Sequence, residues 1–380
     1  MSISLPPREE IFEKLMSRLP SDTVLAVYKL RKYFPLRRGL TEIFKGLPPR
    51  YVRAVDDITF FIREGETFCL VGESGCGKTT TGRAILRLIE PTSGYIFYRP
   101  KEELLKELTS QIPNLFVRKG FIDVAQIPIR FLKPLRKELQ VIFQDPYGSL
   151  NPRFKIRAIL EEPLLVHGLG ETHEERTNIV RKALEDVRLI PPEEFMDRYP
   201  HMLSGGQRQR IGIARAIILE PRFIVADEPV SMLDVSIRAE ILELMMELKK
   251  KYSLTYLFIT HDLAVARYIC DRIAVMYLGV IVEMAPTDEL VENPLHPYTK
   301  ALIAAVPEPE PSNRHKFKEL LIKGEVPSAA AIPPGCRFHP RCVAFDEKRD
   351  ELSNLCPVEQ PELVEIEPGH YVACWLYSKR

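Results

Sequence analysis

Residues 72–79 constrain the fold of this chain more than any other stretch. They read GESGCGKT and match G-x-x-x-x-G-K-[ST] at every fixed position, which is the pattern of a phosphate-binding P-loop. The loop follows an apolar run at residues 67–71 and precedes residues 80–89, whose apolar side chains recur at helical spacing. Glycine-freed backbone N–H groups and a helix N-terminus both attract phosphate oxygens. This strand–loop–helix context predicts a nucleoside triphosphate site.

The loop supplies the candidate contacts to the nucleotide. Lys78 is expected to reach the β- and γ-phosphates, and the Thr79 hydroxyl to ligate Mg²⁺. The complete set of loop residues expected to contact the nucleotide is Gly72, Glu73, Ser74, Gly75, Cys76, Gly77, Lys78, Thr79 and Thr80.

Composition excludes several classes of protein. A formal charge of +1 over 380 residues argues against binding to nucleic acid through bulk electrostatics, so no nucleic-acid partner is expected. No apolar run approaches the roughly 20 residues that cross a bilayer, and acids stand where a signal peptide would be apolar. We therefore expect a cytosolic chain. Its seven cysteines then predict thiols or metal ligands, and we interpret Cys69, Cys76 and Cys270 as packing residues.

A second stretch adds acids to the predicted nucleotide site. Residues 223–228 read FIVADE, an apolar strand that ends in two acidic residues. Asp227 is expected to hold Mg²⁺ through water, and Glu228 to polarise the attacking water. An acid pair after a strand is often only a solvated turn, but its position downstream of a P-loop favours the catalytic interpretation.

A third stretch narrows the family. Residues 203–207 read LSGGQ and open a helical run, so Ser204 is predicted to cap a helix while Gly205 and Gly206 expose backbone donors to a second phosphate surface. Together with Leu203 and Gln207 these residues form a complete LSGGQ string, which in a chain that also has a P-loop is highly specific to one protein family. At this point the sequence resembles the ATP-binding-cassette (ABC) ATPases.

The resemblance implies an α/β P-loop fold. Its parts are a mainly parallel sheet core, a helical subdomain at about residues 145–220, and an antiparallel β subdomain. It also assigns single residues to the motifs of the family. Gln144 is the glutamine-loop residue that contacts Mg²⁺ and the lytic water, and His261 of ITHD is the switch histidine that contacts the γ-phosphate. Asp234 belongs to the SMLD loop that follows the second acid. Phe34, with Tyr33 as the alternative, is the aromatic residue expected to stack on adenine.

The resemblance further implies a dimeric mechanism. In this family the LSGGQ loop of one subunit covers the nucleotide on the P-loop of another, so one cassette per chain requires a second, identical or homologous ATPase subunit. Catalysis is assigned to Lys78, Gln144, Glu228 and His261, with Mg²⁺ held through Thr79, Gln144 and Asp227. Binding of ATP would close the dimer and hydrolysis would reopen it.

Two longer signatures narrow the family to one group. Residues 144–153 read QDPYGSLNPR and residues 293–307 read NPLHPYTKALIAAVP. They resemble the ATPases of oligopeptide and dipeptide importers, a group that also includes nickel and some oligosaccharide systems. This resemblance implies two transmembrane permeases, an external solute-binding protein, and a location at the cytoplasmic face of the cell membrane through the permeases.

The C-terminal cysteines fit the same group. Cys336, Cys342, Cys356 and Cys374 have five, 13 and 17 residues between successive members. Four thiolates can hold an iron–sulfur cluster or tetrahedral zinc. Some members of the importer group carry a 4Fe–4S cluster at such cysteines, and the first gap is longer than a compact zinc hairpin. A cluster is favoured, with zinc and unliganded thiols as alternatives.

The predicted organisation has four parts. Residues 1–22 form an N-terminal extension, 23–306 the ATPase domain, 307–334 a proline-rich linker, and 335–380 a small cysteine-rich domain. The leading functional hypothesis is the ATP-hydrolysing subunit of an importer for peptides or similar solutes. The alternative is a soluble ABC-type ATPase of translation or DNA repair, although such proteins typically fuse two cassettes or insert a long coiled coil, and neither feature is present.

Overall fold

The computed structural model describes residues 7–38, 44, 46, 48–306 and 322–378. Its strands in chain order are β1 Thr23–Pro35, β2 Tyr51–Arg63, β3 Thr67–Val71, β4 Ser93–Tyr98, β5 Val117–Arg118, β6 Phe121–Asp123, β7 Leu139–Ile142, β8 Phe223–Asp227, β9 Thr255–Thr260, β10 Arg272–Tyr277, β11 Val280–Pro286, β12 Val364–Glu367 and β13 His370–Val372.

The helices are α1 Arg8–Met16, α2 Lys78–Ile85, α3 Glu102–Gln111, α4 Leu132–Leu135, α5 Ile156–His167, α6 His173–Asp186, α7 Pro192–Met196, α8 Gly205–Ile217, α9 Val235–Tyr252, α10 Leu263–Ile269, α11 Thr287–Glu292, α12 Pro297–Ala304, α13 Val343–Glu347 and α14 Arg349–Leu352. Among the described residues, no helix combines the length and apolarity needed to span a bilayer.

The chain divides into two compact units. The first comprises the described part of Met1–Ala26 together with Phe61–Thr67 and Ile96–Ile259. The second comprises the described parts of Val27–Phe60, Phe68–Tyr95 and Thr260–Arg380. The second unit therefore carries the P-loop and the C-terminal cysteines, and the first carries the acid pair and the LSGGQ string.

A buried sheet organises the second unit. Strand β3 pairs in parallel with β10, and β10 pairs antiparallel with β11. Strand β13 extends the sheet from β11, and β12 pairs with β13. Every residue of β3 and β10 is buried, as expected for short apolar runs covered on both faces. The carboxyl end of β3 leads directly into the P-loop.

A parallel sheet and a helical region form much of the first unit. Strands β7, β8 and β9 pair in parallel, with β8 between the other two. Helices α5, α6 and α8 pack against one another through buried aliphatic stripes, and α6 begins with a capping box between Thr172 and Glu175. These helices lie in the stretch where a helical subdomain is predicted.

The region 97–139, which is dense in lysine and glutamate, carries core residues of its own. Phe97 and Tyr98 on β4 are fully buried. The ring of Phe97 lies 5.2 Å from that of Phe12 on α1, and the Phe116 ring lies 5.5 Å from Phe12. Lysine and glutamate on the exposed faces of this region conceal these aromatic positions in the sequence.

The bounds of α2 differ from the sequence expectation. Helix α2 begins at Lys78, inside the P-loop string, and ends at Ile85, whereas the apolar spacing predicts a helix over residues 80–89. Of the predicted linker and cysteine-rich domain, residues 307–321 and 379–380 lie outside the described residues, and the predicted boundaries stay predictions.

Candidate functional site

The P-loop backbone takes a conformation that only glycine fits at two positions. Gly72 has φ of 154° and Gly77 has φ of 110°. A Cβ atom on Gly72 would lie 2.2 Å from the carbonyl oxygen of Met276 on β10, and one on Gly77 would lie 2.1 Å from that of Ala54 on β2. The two glycines therefore allow the loop to lie directly against neighbouring backbone.

The P-loop lysine is held inside this loop. Helix α2 begins at Lys78, with Gly77 as its N-cap residue. The Lys78 Nζ atom donates to the carbonyl oxygens of Gly72 at 2.7 Å and Glu73 at 3.0 Å, and the side chain is buried. A fixed ammonium and the start of a helix thus combine in one loop, which suits it to bind polyanionic phosphate.

The remaining loop residues lie around this lysine. Ser74 and Gly75 are exposed at the tip of the loop, while Thr79 and Thr80 are half-buried. The Cys76 Sγ atom lies 3.6 Å from Lys78 Nζ. Burial raises the pKa of the Cys76 thiol despite the opposing effect of the lysine charge, so this thiol stays protonated at neutral pH.

Glu73 connects the P-loop to the C-terminal part of the chain. Its backbone N–H donates to the Tyr298 hydroxyl at 3.0 Å. Its carboxylate accepts from both terminal nitrogens of Arg341, at 2.9 and 3.2 Å. Arg341 is buried and also donates to the Tyr277 hydroxyl at 3.5 Å. Two residues remote in sequence, Tyr298 and Arg341, therefore hold the second residue of the P-loop.

A second arginine of the cysteine-rich segment is also buried. The guanidinium of Arg337 donates to the Asp56 carboxylate and to the Leu278 carbonyl oxygen. Asp56 also accepts from the Tyr33 hydroxyl. Arg337 and Arg341 thus tie the segment around the first two C-terminal cysteines to the unit that carries the P-loop.

The two candidates for adenine stacking differ in their surroundings. The Tyr33 hydroxyl is engaged by Asp56, and burial together with this hydrogen bond raises the pKa of Tyr33. The Phe34 side chain is 39% exposed, with the Lys32 Nζ atom 4.9 Å from its ring centroid. Phe34 thus has an accessible ring, whereas the Tyr33 hydroxyl already has a partner.

The predicted catalytic acid and the predicted glutamine meet in the first unit. The Gln144 Nε2 atom donates to the Glu228 Oε2 atom at 3.0 Å. Asp227 ends β8 and is buried, whereas Glu228 has φ of 45°, in the left-handed region that non-glycine residues rarely adopt. Its backbone N–H donates to the Ile259 carbonyl oxygen of β9 at 2.9 Å. Strained backbone of this kind clusters at functional sites.

His261 follows β9 and is exposed in a bend. The next residue, Asp262, caps α10 by accepting from the backbone N–H groups of Ala264 and Val265, at 2.8 and 3.3 Å. The cap fixes the backbone next to His261 and leaves the imidazole at the surface of its unit.

The LSGGQ string forms the start of α8, as the sequence predicts. Ser204 Oγ accepts from the Gln207 N–H at 3.2 Å, and Gln207 Oε1 accepts from the Ser204 N–H at 3.0 Å, which together make a capping box. Leu203 is buried, and a Cβ atom on Gly206 would lie 2.8 Å from Ile237 Cγ2. Because Gly205 and Gly206 lack a Cβ atom, neighbouring side chains can lie close to the start of this helix. Asp234, at the N-cap position of α9, makes no side-chain capping bond.

Two separate sequence signatures contact each other beside this helix. The guanidinium carbon of Arg208 on α8 lies 4.0 Å from the ring centroid of Tyr147, which belongs to the QDPYGSLNPR string. Arg208 Nε also donates to the Pro200 carbonyl oxygen at 2.7 Å. The importer-type signature and the LSGGQ string therefore form one packed surface.

Comparisons with known proteins agree with this geometry. The family model described as "ABC transporter" matches residues 55–231. The oligopeptide transport ATP-binding protein AppF of Bacillus subtilis is 45% identical over 96% of this chain and 100% of its own length. The dipeptide transport ATP-binding protein DppF of Haemophilus influenzae is 42% identical over 91% of this chain and 94% of its own.

The chain belongs to the ABC transporter family. A second family model, "Oligopeptide/dipeptide transporter, C-terminal region", matches residues 282–348. A solved dimeric structure titled as a post-hydrolysis state of the ATP-binding cassette MJ0796 bound to ADP and Pi shares 26% identity, with a TM-score of 0.55 over 69% of this chain and 98% of that one. These likenesses establish the ABC-type ATPase fold that the sequence predicts.

The four C-terminal cysteines of this ABC protein line one small cavity, together with Phe338, Trp375 and Leu376. Cys336, Cys356 and Cys374 are buried, and Cys342 is half-buried. The Cys336 N–H donates to the Cys356 carbonyl oxygen at 2.7 Å. The structure therefore brings together four residues that span 39 positions of sequence, from 336 to 374.

Burial dominates the ionisation of these cysteines. It raises the pKa of Cys336 to about 11 and those of Cys356 and Cys374 to about 12, and it raises the pKa of Cys342 as well. The charges of neighbouring cysteines add to the rise in most cases. Without a bound cation these thiols are therefore protonated at neutral pH, and a cation would be needed to hold them as thiolates.

One sequence interpretation needs correction. The sequence predicts that Cys69 on β3 and Cys270 after α10 are packing residues. Their sulfur atoms lie within bonding distance, and their Cα atoms are 5.9 Å apart. The 201 residues between them hide this pairing from any local pattern. Cys76, by contrast, is a buried free thiol, as expected.

Sequence reasoning also missed the residues that hold the P-loop from outside. Arg337 and Arg341 stand within the string CRFHPRC, in which the spacing of the cysteines gives no indication of a role for the arginines. Tyr298 stands within NPLHPYTKAL, which served only to indicate the importer group. The one signal in the sequence was the presence of arginine and tyrosine inside the two strings that indicate the importer group.

Proposed function

We propose that this ABC ATPase is the ATP-hydrolysing subunit of an importer for oligopeptides or dipeptides. The observation that carries the proposal is the contact between group-specific residues and the ATP loop. Tyr298 and Arg341 lie in the region matched by the oligopeptide/dipeptide C-terminal model, and both bind Glu73 of the P-loop. Residues of the region specific to this group therefore contact the P-loop directly.

The proposed partners follow from the family. They are a second ABC ATPase subunit, identical or homologous, two transmembrane permease subunits and an extracellular solute-binding protein. The ATPase would be located at the cytoplasmic face of the cell membrane, attached through the permeases.

The residue roles are proposed as follows. Lys78 binds the β- and γ-phosphates, and Phe34 stacks on the adenine ring. Glu228 polarises the attacking water, which Gln144 helps to position through its 3.0 Å bond to the same carboxylate. His261 contacts the γ-phosphate. The residues that would hold Mg²⁺, an ion that neutralises phosphate charge, are Thr79, Gln144 and Asp227.

A closed dimer of two ATPase subunits is proposed as the active form. The LSGGQ loop would cover the nucleotide of the partner, with Asp234 at the same interface. Met232 and Val235 beside Asp234 are 58% and 80% exposed, so their apolar side chains are accessible to such a partner. The solved relative bound to ADP and Pi is titled as dimeric.

The deciding experiment is co-purification of the tagged chain from detergent-solubilised native membranes, with every partner identified by mass. Recovery of two multi-span permeases, a second ATPase and a solute-binding protein, with peptide as the bound solute, would support the proposal. Recovery with ribosomes or DNA-repair factors and without membrane proteins would overturn it in favour of a soluble ATPase. Recovery with permeases that carry an oligosaccharide or a metal complex would replace the peptide assignment.

We further propose that Cys336, Cys342, Cys356 and Cys374 hold a 4Fe–4S cluster. A tetrahedral zinc with Zn–S bonds of about 2.3 Å needs its sulfur atoms roughly 4 Å apart. Within the described residues, no three of these four sulfur atoms lie within 4.8 Å of one another. The wider spacing favours a cluster, which would supply a structural link within a segment that has little core of its own.

Anaerobic purification tests the cluster. Brown colour, a broad visible absorbance, and iron and sulfide in equal amounts are expected from the native chain and from Cys76→Ser, which removes a thiol outside the set. Cys342→Ser should lose most of this iron. Colourless native protein that contains zinc, or no metal, would refute the cluster.

A further inference from the structure

A buried histidine in the C-terminal hairpin lacks one of its hydrogen-bond partners. His370 on β13 is fully buried, and its Nε2 atom lies 2.8 Å from Glu283 Oε1 on β11. The Glu283 carboxylate also accepts the backbone N–H groups of Leu295 and His296, at 2.7 and 2.9 Å. An acceptor so engaged keeps the proton of His370 on Nε2. The Nδ1 atom then presents a lone pair, and it has no hydrogen-bond partner.

Two further carboxylates converge on that nitrogen. The Glu289 Oε1 atom lies 3.7 Å from His370 Nδ1, which is too long for a hydrogen bond. Glu367 pairs with His370 across the β12–β13 hairpin, so both side chains lie at the same turn. One ligand atom from each of Glu289, Glu367 and His370 lies within 4.8 Å of the other two.

No basic residue compensates this cluster in the described part of the chain. Glu289 accepts from Asn293 Nδ2 at 3.0 Å, which leaves lone pairs on both of its oxygens. No lysine or arginine among the described residues forms an ion pair with Glu289 or Glu367. Glu289 is half-buried and Glu367 is exposed, so a cation can enter from solvent. Two anionic groups and an imidazole lone pair are the donor set that a divalent ion of intermediate softness prefers.

We propose that Glu289, Glu367 and His370 form a binding site for a divalent transition-metal ion, Zn²⁺ in the first instance. Water completes four-coordination, and Glu283 orients the imidazole from behind. A carboxylate that accepts from the remote nitrogen of a ligating histidine is the usual outer partner of such sites. Zinc bonds of about 2.0–2.2 Å require the three ligand atoms to approach slightly, which rotation of the two accessible glutamates provides.

The site would fasten the C-terminal hairpin to the ATPase unit. Glu289 lies on α11, whereas Glu367 and His370 lie on the hairpin that leads to Cys374. The cavity lined by the four cysteines does not include His370, Glu289 or Glu367. The proposed site is therefore separate from the cysteine site and differs from it in chemistry, since it offers nitrogen and oxygen but no sulfur.

A protonated His370 between carboxylates is the competing account of the same contacts. Burial acts to lower the pKa of His370, but the hydrogen bond to Glu283 and the charges of Glu283, Glu289 and Glu367 outweigh it and raise the pKa. The two accounts differ in one measurable respect, because only the first predicts uptake of a metal ion that depends on Glu367.

The test uses the full-length chain freed of metal by dialysis against chelator. Zn²⁺ is titrated by calorimetry, and Co²⁺ by visible spectroscopy, into the native chain, Glu367→Gln and Glu292→Gln. Glu367 is exposed, so its replacement leaves the fold intact. Glu292 lies on the same helix as Glu289, is exposed and outside the cluster, and undergoes the same charge change.

The native chain and Glu292→Gln should each show a Co²⁺-binding component with weak visible bands, distinct from the near-ultraviolet charge-transfer bands of thiolate ligands. Glu367→Gln should lose at least about tenfold in affinity for this component, as is typical when a metal site loses a supporting group. Thiolate binding at the cysteines is common to all three proteins and is subtracted. Equal affinities in the three proteins, or spectra with thiolate bands alone, would overturn the proposal.

Discussion

Both terminal guanidinium nitrogens of Arg341 donate hydrogen bonds to the carboxylate of Glu73, at 2.9 and 3.2 Å. Arg341 directly precedes Cys342, and Glu73 is the second residue of the P-loop. A two-point contact between a buried arginine and a carboxylate fixes both groups in orientation as well as in distance. The segment that carries the cysteines and the loop that binds ATP are thereby joined, so a change in one should be felt by the other.

Replacement of Arg341 by methionine should weaken ATP binding by about tenfold, which corresponds to about 1.4 kcal/mol. The Glu73 carboxylate loses its two donors, and repulsion from ATP phosphates is then no longer offset. Arg341→Lys should give an intermediate result because it keeps the charge and loses the second hydrogen bond. Equilibrium titration with a fluorescent ATP analogue measures the dissociation constants.

The control for Arg341 is Arg349→Met, which removes an exposed guanidinium from the same C-terminal segment. Equal ATP affinities for Arg341→Met and Arg349→Met would contradict the coupling. Adding Glu73→Gln to Arg341→Met should recover part of the affinity, since the unpaired charge is removed, and the double-mutant cycle isolates the pair.

Replacement of Glu228 by glutamine should preserve ATP binding and reduce hydrolysis by at least about a hundredfold, the usual contribution of a general base. Glutamine keeps a side-chain oxygen for the bond from Gln144 but cannot polarise water. Phosphate release measures turnover. Gel filtration with ATP should also report a lasting dimer, because closure without hydrolysis cannot be reversed.

Glu185→Gln is the matched control for Glu228, since Glu185 is an exposed acid in the same unit. Its turnover should equal that of the native chain. Phosphate release by Glu228→Gln at the rate of this control would rule out Glu228 as the group that polarises water.

The parts of the site that could be predicted from sequence are those encoded by contiguous strings. The P-loop, the acid pair and LSGGQ each fit within eight residues, so local spacing indicates which element each string forms. The predicted strand before the P-loop matches β3, and the predicted cap at Ser204 is present.

The parts that could not be predicted depend on residues far apart in sequence. Arg341 and Glu73 are 268 positions apart, and Cys69 and Cys270 are 201 apart. A single sequence carries no record of such distances, because the contact is set by strand order and not by spacing. Lysine-rich stretches such as residues 97–139 also mislead, since their exposed charges outnumber the few aromatic side chains that pack inside.

Replacement of Phe34 by alanine should raise the dissociation constant for ATP several-fold and leave the maximal turnover almost unchanged. Stacking on adenine contributes binding but does not touch the reacting phosphates, and aromatic pairs contribute about 0.5–1.5 kcal/mol beyond area burial. Phe34→Tyr should behave as the native chain. A larger effect from Tyr33→Ala than from Phe34→Ala, in the absence of any loss of folding, would transfer the role to Tyr33.

Glu138 should make the first unit respond to pH. Burial raises the pKa of its carboxyl, although hydrogen bonds from the Tyr98 hydroxyl at 2.7 Å and the Lys101 N–H at 3.0 and 3.1 Å oppose the rise. The folded chain thus binds this proton more tightly than the unfolded chain does. As pH falls through the raised pKa, this group therefore stabilises the folded state, and the gain is complete below its unfolded pKa of about 4.3.

Glu138→Gln removes that proton equilibrium and keeps an acceptor for Tyr98. Urea unfolding at several values between about pH 7.5 and 5 should show the native chain gaining stability relative to the variant as pH falls. Other carboxyls cancel in the difference between the two proteins. A difference that stays constant or moves the other way would show that Glu138 does not titrate as its surroundings indicate.

The pairing of Cys69 with Cys270 is expected to be covalent. Their Cα separation of 5.9 Å falls in the range of disulfides, and both side chains are buried. Alkylation in denaturant without reductant should label the five other cysteines, and all seven only after reduction. A bond that closes a loop of this length constrains the unfolded chain strongly, so reduction should lower the unfolding midpoint.

Three variants test the same bond. Cys69→Ala, Cys270→Ala and the double variant should lose similar stability relative to the native chain, because either change breaks the bond. Labelling of all seven cysteines without reductant, with additive losses of stability in the double variant, would mean that the two residues pack as separate thiols.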